Sequence, residues 1–163
     1  MLKSALLKKL SKKTTPSSEP ISFSRANSIG ILSIYEDALD LDELVQELET
    51  VGKSPRISRF IRKPEKDKEY MGGCFTEKDI NLSGTILSSE LAYFTKQNYD
   101  FLLCLDASGN NFVKYILSKT HAKHRIGLYH PNFKSQLDMM IKPDDRNTPV
   151  KEVLRYLKMI RHD

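Results

Sequence analysis

At 163 residues and 18.7 kDa, the chain is sized for one packed domain rather than two. Seven prolines and seven glycines exclude collagen-like and low-complexity architectures, and no apolar run approaches the roughly 18 residues that span a bilayer. The net charge of +5 lies entirely within residues 1–25, where Lys3, Lys8, Lys9, Lys12, Lys13 and Arg25 meet Glu19 alone. Residues 26–163 are neutral as a block, which argues against a broad nucleic-acid-binding face on the body.

Residues 2–13 read as an amphipathic helix, with Leu2, Leu6, Leu7 and Leu10 on one side and lysines on the other. Such a segment is marginal as an isolated helix in water, so it needs a surface to lie on. Its own domain, a protein partner, RNA or a ribosome, and an anionic membrane all qualify. Residues 15–25 follow as a polar, proline-punctuated linker, giving an arm over 1–14 and one domain over 26–163. The apolar stretch Ala5–Leu7 is too short for a signal-peptide core, so a cytoplasmic location is expected, with peripheral contact to the inner membrane as one option.

Ile29 to Tyr35 reads as a buried strand. Asp40 then offers an N-cap with Glu43 as its capping-box partner, opening a helix through Val51 that Gly52 closes. Ile57–Arg62 alternates charged and apolar residues, as a strand with one wet face does. A short strand is expected at Tyr70–Phe75, where Gly72 and Gly73 suggest a bulge or a close backbone approach. Ser88 or Ser89 can cap a helix over Glu90–Lys96. Tyr99–Asp106 is almost continuously apolar, the pattern of a strand buried on both faces. A turn over Ala107–Asn111 leads to a helix carrying Phe112, Val113, Ile116 and Leu117. Arg125–Tyr129 and Leu137–Ile141 read as further strands. Thr148 caps the last helix with Pro149 at its first position. Alternating strands and helices predict an α/β three-layer sandwich with a mostly parallel central sheet, Rossmann-like in class.

The acids between Glu36 and Glu49 and the bases between Lys53 and Lys68 form adjacent blocks of opposite sign, expected to compensate each other on a solvated surface, with a basic groove for phosphate or RNA as the alternative. In open α/β sheets, ligands collect beyond the carboxyl ends of the strands. This makes Asp106, Ser108, Gly109 and Asn110 candidate ligand-binding residues, although a helix cap and turn require the same residue types. Lys119, Lys123 and Arg125 flank His121 and His124 in what reads as a helix-to-strand turn, and could grip a phosphate or carboxylate. There is no G-x-G-x-x-G fingerprint and no Walker lysine. The histidines, His130 and His162 included, show no metal-ligand spacing, so neither a metal nor a cofactor is expected. Cys104 reads as a core residue. Cys74 would need a neighbouring base to act as a nucleophile.

The stretches Asp100–Asp106, Tyr115–Gly127, Leu137–Lys142 and the closing Val150–Ile160 segment carry a resemblance. They resemble an uncharacterised family of short cytoplasmic proteins found in Bacteroidetes. More loosely, the acid-flanked apolar strand and the A-K-x-R-I-G pattern, here Ala122–Gly127, are similar to one half of ADP-heptose-type glycosyltransferases. Those enzymes use two such domains facing a cleft, so the resemblance implies a binding module or a non-enzymatic remnant. The leading expectation is a non-catalytic cytoplasmic module that binds a partner through or with its basic arm. The alternative is a small enzyme or ligand-binding domain for a phosphorylated or nucleotide-sugar compound at Asp106–Asn111. A purely structural, self-assembling role is a third option.

Overall fold

The computed structural model describes residues 1–15, 17, 21–35, 41–143 and 148–160. In chain order these form α1 (Leu2–Leu10), β1 (Ile29–Ile34), α2 (Leu41–Thr50), β2 (Arg56–Phe60), β3 (Cys74–Phe75), α3 (Ser89–Lys96), β4 (Asn98–Leu105), α4 (Asn111–Lys119), β5 (His121–Leu128), β6 (Met139–Ile141) and α5 (Pro149–Met159). Among them, six strands pair in parallel in the order β3-β2-β1-β4-β5-β6. Strand order reverses between β1 and β4, the arrangement of doubly wound α/β sheets.

The burial pattern explains the layers. Every residue of β1 is buried, as are Phe101–Leu105 of β4, because helices cover both faces at the centre of the sheet. Leu32, Ile34, Leu102 and Cys104 pack with Leu7 of α1, Leu91 of α3, and Val113, Ile116 and Leu117 of α4. Ile29, Ile31, Phe101 and Leu103 pack on the opposite face with Leu44 and Leu48 of α2 and Val153 and Leu157 of α5.

Local chemistry sets the element ends. The Ser88 hydroxyl accepts from the Leu91 amide and Thr148 from that of Lys151, each satisfying a helix-start donor. The expected Asp40 cap lies outside the described residues. Gly73 has φ +85°, and a side chain there would meet the Ile57 carbonyl, so the approach expected at the glycine pair is real. At Gly127 of β5 the constraint is packing: a methyl would sit 2.7 Å from both Cβ and O of Cys104 on the neighbouring strand. Gly127→Ala should therefore cost about 1–3 kcal/mol through overpacking, read as a lower urea midpoint. An unchanged midpoint would mean that β4 and β5 separate more readily than this packing implies.

Two expectations change. The turn expected around His121 and His124 is strand: β5 begins at His121, which pairs in register with Asn98. Lys53 does not join a solvated basic face. It is 7% exposed, and its ammonium donates to the carbonyls of Ala26 at 2.6 Å and Ser24 at 3.3 Å, above the Phe23 ring. In the acidic block, Glu47 pairs with Lys158 of α5 at 3.6 Å.

The amphipathic N-terminal helix is present but ends at Leu10 rather than residue 13; it lies against α4, with Leu7 fully buried and the Ser4 hydroxyl accepting from Asn111 at 3.0 Å. Beyond it the backbone stays tied to the body. The Thr14 amide donates to the Ser135 carbonyl at 2.9 Å, its hydroxyl to that of Gln136 at 2.8 Å, and the Ser17 amide to that of Lys123 at 3.3 Å. No helix of the described residues is long and apolar enough to cross a membrane.

Candidate functional site

The hand-over from β4 to α4 occurs at the carboxyl edge of the sheet, beside the point where strand order reverses. Asp106 ends the strand and is 2% exposed. One carboxylate oxygen accepts from the amide and hydroxyl of Ser108, the other from the Asn110 amide at 2.8 Å. Arg62 donates to the Ser108 hydroxyl from across the edge. Asn110 in turn accepts from the amides of Phe112 and Val113, at 2.9 and 3.3 Å, capping α4. These polar side chains bond one another and the loop backbone, so their main work is to fix the loop. That fixes Gly109 at φ +68°, where an added Cβ would lie 2.1 Å from the His130 ring. Only glycine brings the ends of β4 and β5 this close.

The close approach builds a second polar layer. His130 accepts the Asn132 amide at Nδ1, 3.0 Å away, which leaves the ring proton on Nε2. The Asn132 carboxamide donates to the Gly109 carbonyl at 2.7 Å and to Asn111 Oδ1 at 2.8 Å, and Lys114 Nζ donates to its oxygen at 3.3 Å. Over this layer lies an open hollow of about 590 Å³, lined by Asn111, Lys114, His130, Asn132 and Ser135 together with Lys8 of α1. None of its lining residues is acidic. Burial, and then the positive charge of Lys8, hold the Lys114 ammonium below the usual lysine range. An anion seated between the two lysines would relieve both effects.

A family model described as a family of unknown function, DUF6913, matches residues 1–160. The chain belongs to this family. No curated protein and no solved structure matches it. The match runs from α1 into α5, so it takes in every residue that lines the hollow.

In this DUF6913 protein the sequence-derived site residues divide between the two ends of the sheet. Asp106, Ser108, Gly109 and Asn110 sit together at the carboxyl edge. Lys119 closes α4, Lys123 lies near the start of β5, and Arg125 sits at mid-strand in register with Leu102, its guanidinium reaching back toward the amino end. Lys119 stacks over the Tyr115 ring at 5.4 Å, and Lys123 pairs with Asp100 at 3.2 Å. Burial alone would raise the Asp100 pKa, but the amides of Asn27 and Ser28 together with Lys123 pull it below the usual range. Arg125 is buried, its two terminal guanidinium nitrogens donating to the carbonyls of Ala122 and Thr120. These three residues do not converge on one anion. Of the arm lysines, Lys8 reaches the hollow and Lys3 donates to the Glu77 carbonyl at 2.7 Å, while Lys9, Lys12 and Lys13 are exposed.

Lys114, His130 and Asn132 were not singled out from the sequence. The signal that could have found them is topological: in a parallel sheet, the residues that follow β5 must lie beside those that follow β4. Of the remaining histidines, His124 stacks on Phe101 at 5.3 Å with a buried Nε2, and His162 lies outside the described residues. Among the described residues no group of three His, Cys, Asp or Glu could hold a metal.

A smaller cleft of about 310 Å³ lies between the β2–β3 edge and α3, with Arg56, Cys74, Glu90 and Tyr93 on its walls. Burial pushes the Cys74 thiol up and Arg59 only partly opposes it, while the Glu90 carboxylate accepts the Gly73 amide at 2.7 Å. The cleft therefore holds no activated nucleophile. Cys104 is fully buried, its thiol also pushed up by burial, as a core residue's is.

Proposed function

We propose that this protein is a non-catalytic binding module for a phosphate-bearing small molecule, held between α1 and α4 at the carboxyl edge of the sheet. The observation that carries this reading is that Lys8 and Lys114 line one acid-free hollow. The Asn111 and Asn132 carboxamides and the His130 Nε2–H add neutral polarity beside the two charges. The loop from Asp106 to Asn110 acts as the frame rather than the grip. Within this reading the resemblance to one half of a nucleotide-sugar enzyme supports a nucleotide sugar as the natural form of the phosphate, in a cytoplasmic setting.

Calorimetric titration with inorganic phosphate, a nucleoside diphosphate and a nucleotide sugar tests the proposal. Lys8→Ala with Lys114→Ala should weaken the tightest of these by at least about tenfold, the equivalent of about 1.4 kcal/mol. Both residues sit at the surface of the hollow, so stability without ligand should stay within about 0.5 kcal/mol of the parent. Equal affinity in the double variant, or no heat with any of the three ligands, sinks the reading.

A second reading concerns the arm. An anionic partner held through α1 is supported by a separate observation: with the helix docked on α4, Leu2 and Leu10 of its leucine stripe stay exposed.

A further inference from the structure

The helical repeat of α1 places Leu2, Leu6 and Leu10 in one row at i, i+4 and i+8. The fold buries the residue beside that row, Leu7, and leaves the two ends of the row exposed. Leu2 is 69% exposed and Leu10 41%, with Leu6 half-buried. Next to the row lies the turn over residues 81–87, whose Leu82 and Leu87 are 57% and 61% exposed. The adjacency is direct, since a Cβ on Gly84 would lie 3.2 Å from Leu10 Cδ1. The turn is rigid. Asn81 Oδ1 accepts the amides of Ser83 and Thr85, Ile80 bridges Ile86, and the Tyr115 hydroxyl donates to the Gly84 carbonyl at 2.6 Å. Lys3 and Lys78 border the hollow between turn and helix, which Ile80, Leu82 and Leu87 line.

We propose that α1 and the 81–87 turn together form a docking surface for an anionic lipid bilayer. This rests on the second reading, that the arm holds an anionic partner, and names that partner. Charge complementarity selects it. Lys3, Lys8, Lys9, Lys12 and Lys13 crowd residues 1–15, which hold no acid, and Lys78 joins them from the turn. Of the two acids beside the turn, Asp79 spends its carboxylate on the Thr76 amide at 2.7 Å, and Glu77 faces solvent. An apolar row flanked by lysines on a short helix, lying in the interface plane, is the pattern that inserts leucines below anionic headgroups. Each lysine near such a surface contributes about fivefold in affinity. RNA would use the lysines and leave the leucines without a role. Docking needs no rearrangement, because the fold already presents the row and the turn side by side.

Flotation of the full chain tests this with two vesicle types, pure phosphatidylcholine and phosphatidylcholine carrying about a third phosphatidylserine. A parallel arm uses filter retention of a single-stranded homopolymeric RNA. The expected result is flotation with the anionic vesicles alone, lost at high salt. The paired variant Leu2→Glu with Leu87→Glu should reduce it at least tenfold; both sites are exposed, and unchanged far-ultraviolet dichroism verifies the fold. Flotation that the paired variant leaves intact overturns the proposal. Retention by RNA without flotation also overturns lipid docking while sparing the reading of an arm-held anion. Retention by neither overturns both.

Discussion

Leu7→Ala should destabilise the protein by about 2–5 kcal/mol in urea unfolding, whereas Leu2→Ala should stay within about 0.5 kcal/mol. The two residues belong to the same nine-residue helix, and composition does not separate them. The difference is where the docked helix puts them: Leu7 is fully buried among Leu32, Val113 and Ile116, and Leu2 is 69% exposed. Truncating Leu7 leaves a cavity over α4 that the sheet behind it cannot collapse to fill, so the transfer and cavity penalties add. Nothing comparable is lost at Leu2. If Leu7→Ala proves neutral, α1 is a detachable arm whose docking does not belong to the cooperative unit. In that case the Lys8 wall of the hollow would be absent for much of the time, and Lys114 alone would have to hold the anion. The measurement therefore bears on the site as well as on the fold.

Much of the fold is legible because its elements carry both a periodic signal and a stop signal. Tyr99–Asp106 reads as a buried strand from its apolar run, and α5 is bracketed by Thr148 and Pro149 before a regular apolar stripe. The start of β5 is not legible. His121, Lys123 and His124 have no strand-like pattern, and what makes them strand is the backbone of Asn98–Phe101 alongside, a partner the local sequence does not reveal. The same limit applies to charge. Lys53 reads as a solvated base and Arg125 as part of an anion grip, because a sequence displays their charge and hides the carbonyls that accept from them. For the candidate site, Asp106–Asn111 is legible as a strand-to-helix hand-over, which locates the right edge of the sheet. Lys8 and Lys114 are over a hundred residues apart in sequence, and only the docking of α1 brings them to one hollow. The leucine stripe is a mixed case. Its periodicity predicts a helix that needs a surface, and the structure answers with Leu7 buried and Leu6 half-buried, leaving Leu2 and Leu10 exposed.

Arg125→Met separates a structural cation from a ligand-binding one. The side chain is 6% exposed; one guanidinium nitrogen donates to the Thr120 carbonyl at 2.8 Å and the other to the Ala122 carbonyl at 3.2 Å. Its own amide donates to the Asp138 carboxylate at 2.7 Å, which anchors the approach to β6. Burial lowers the guanidinium pKa, and the negative charge of Asp138 opposes that shift. Methionine fills a similar volume but leaves both carbonyls buried without these donors at the junction of α4 and β5. Each orphaned acceptor costs about 1–3 kcal/mol, so a net loss of about 2–4 kcal/mol in unfolding free energy is expected. Lysine should recover part of it, since one ammonium can reach a carbonyl but cannot reproduce the planar fork. Phosphate affinity should change by less than about twofold, because the guanidinium reaches from mid-strand toward the amino end of β5, away from the anion seat, and separated sites act independently. The Lys8 and Lys114 variants should show the reverse, with stability kept and affinity lost. A stable Arg125→Met protein that no longer binds phosphate would move the anion to the amino end of β5, the position suggested by the cluster of Lys119, Lys123 and Arg125 in the sequence. The two outcomes cross in both observables, so one pair of titrations decides between the two ends of the sheet.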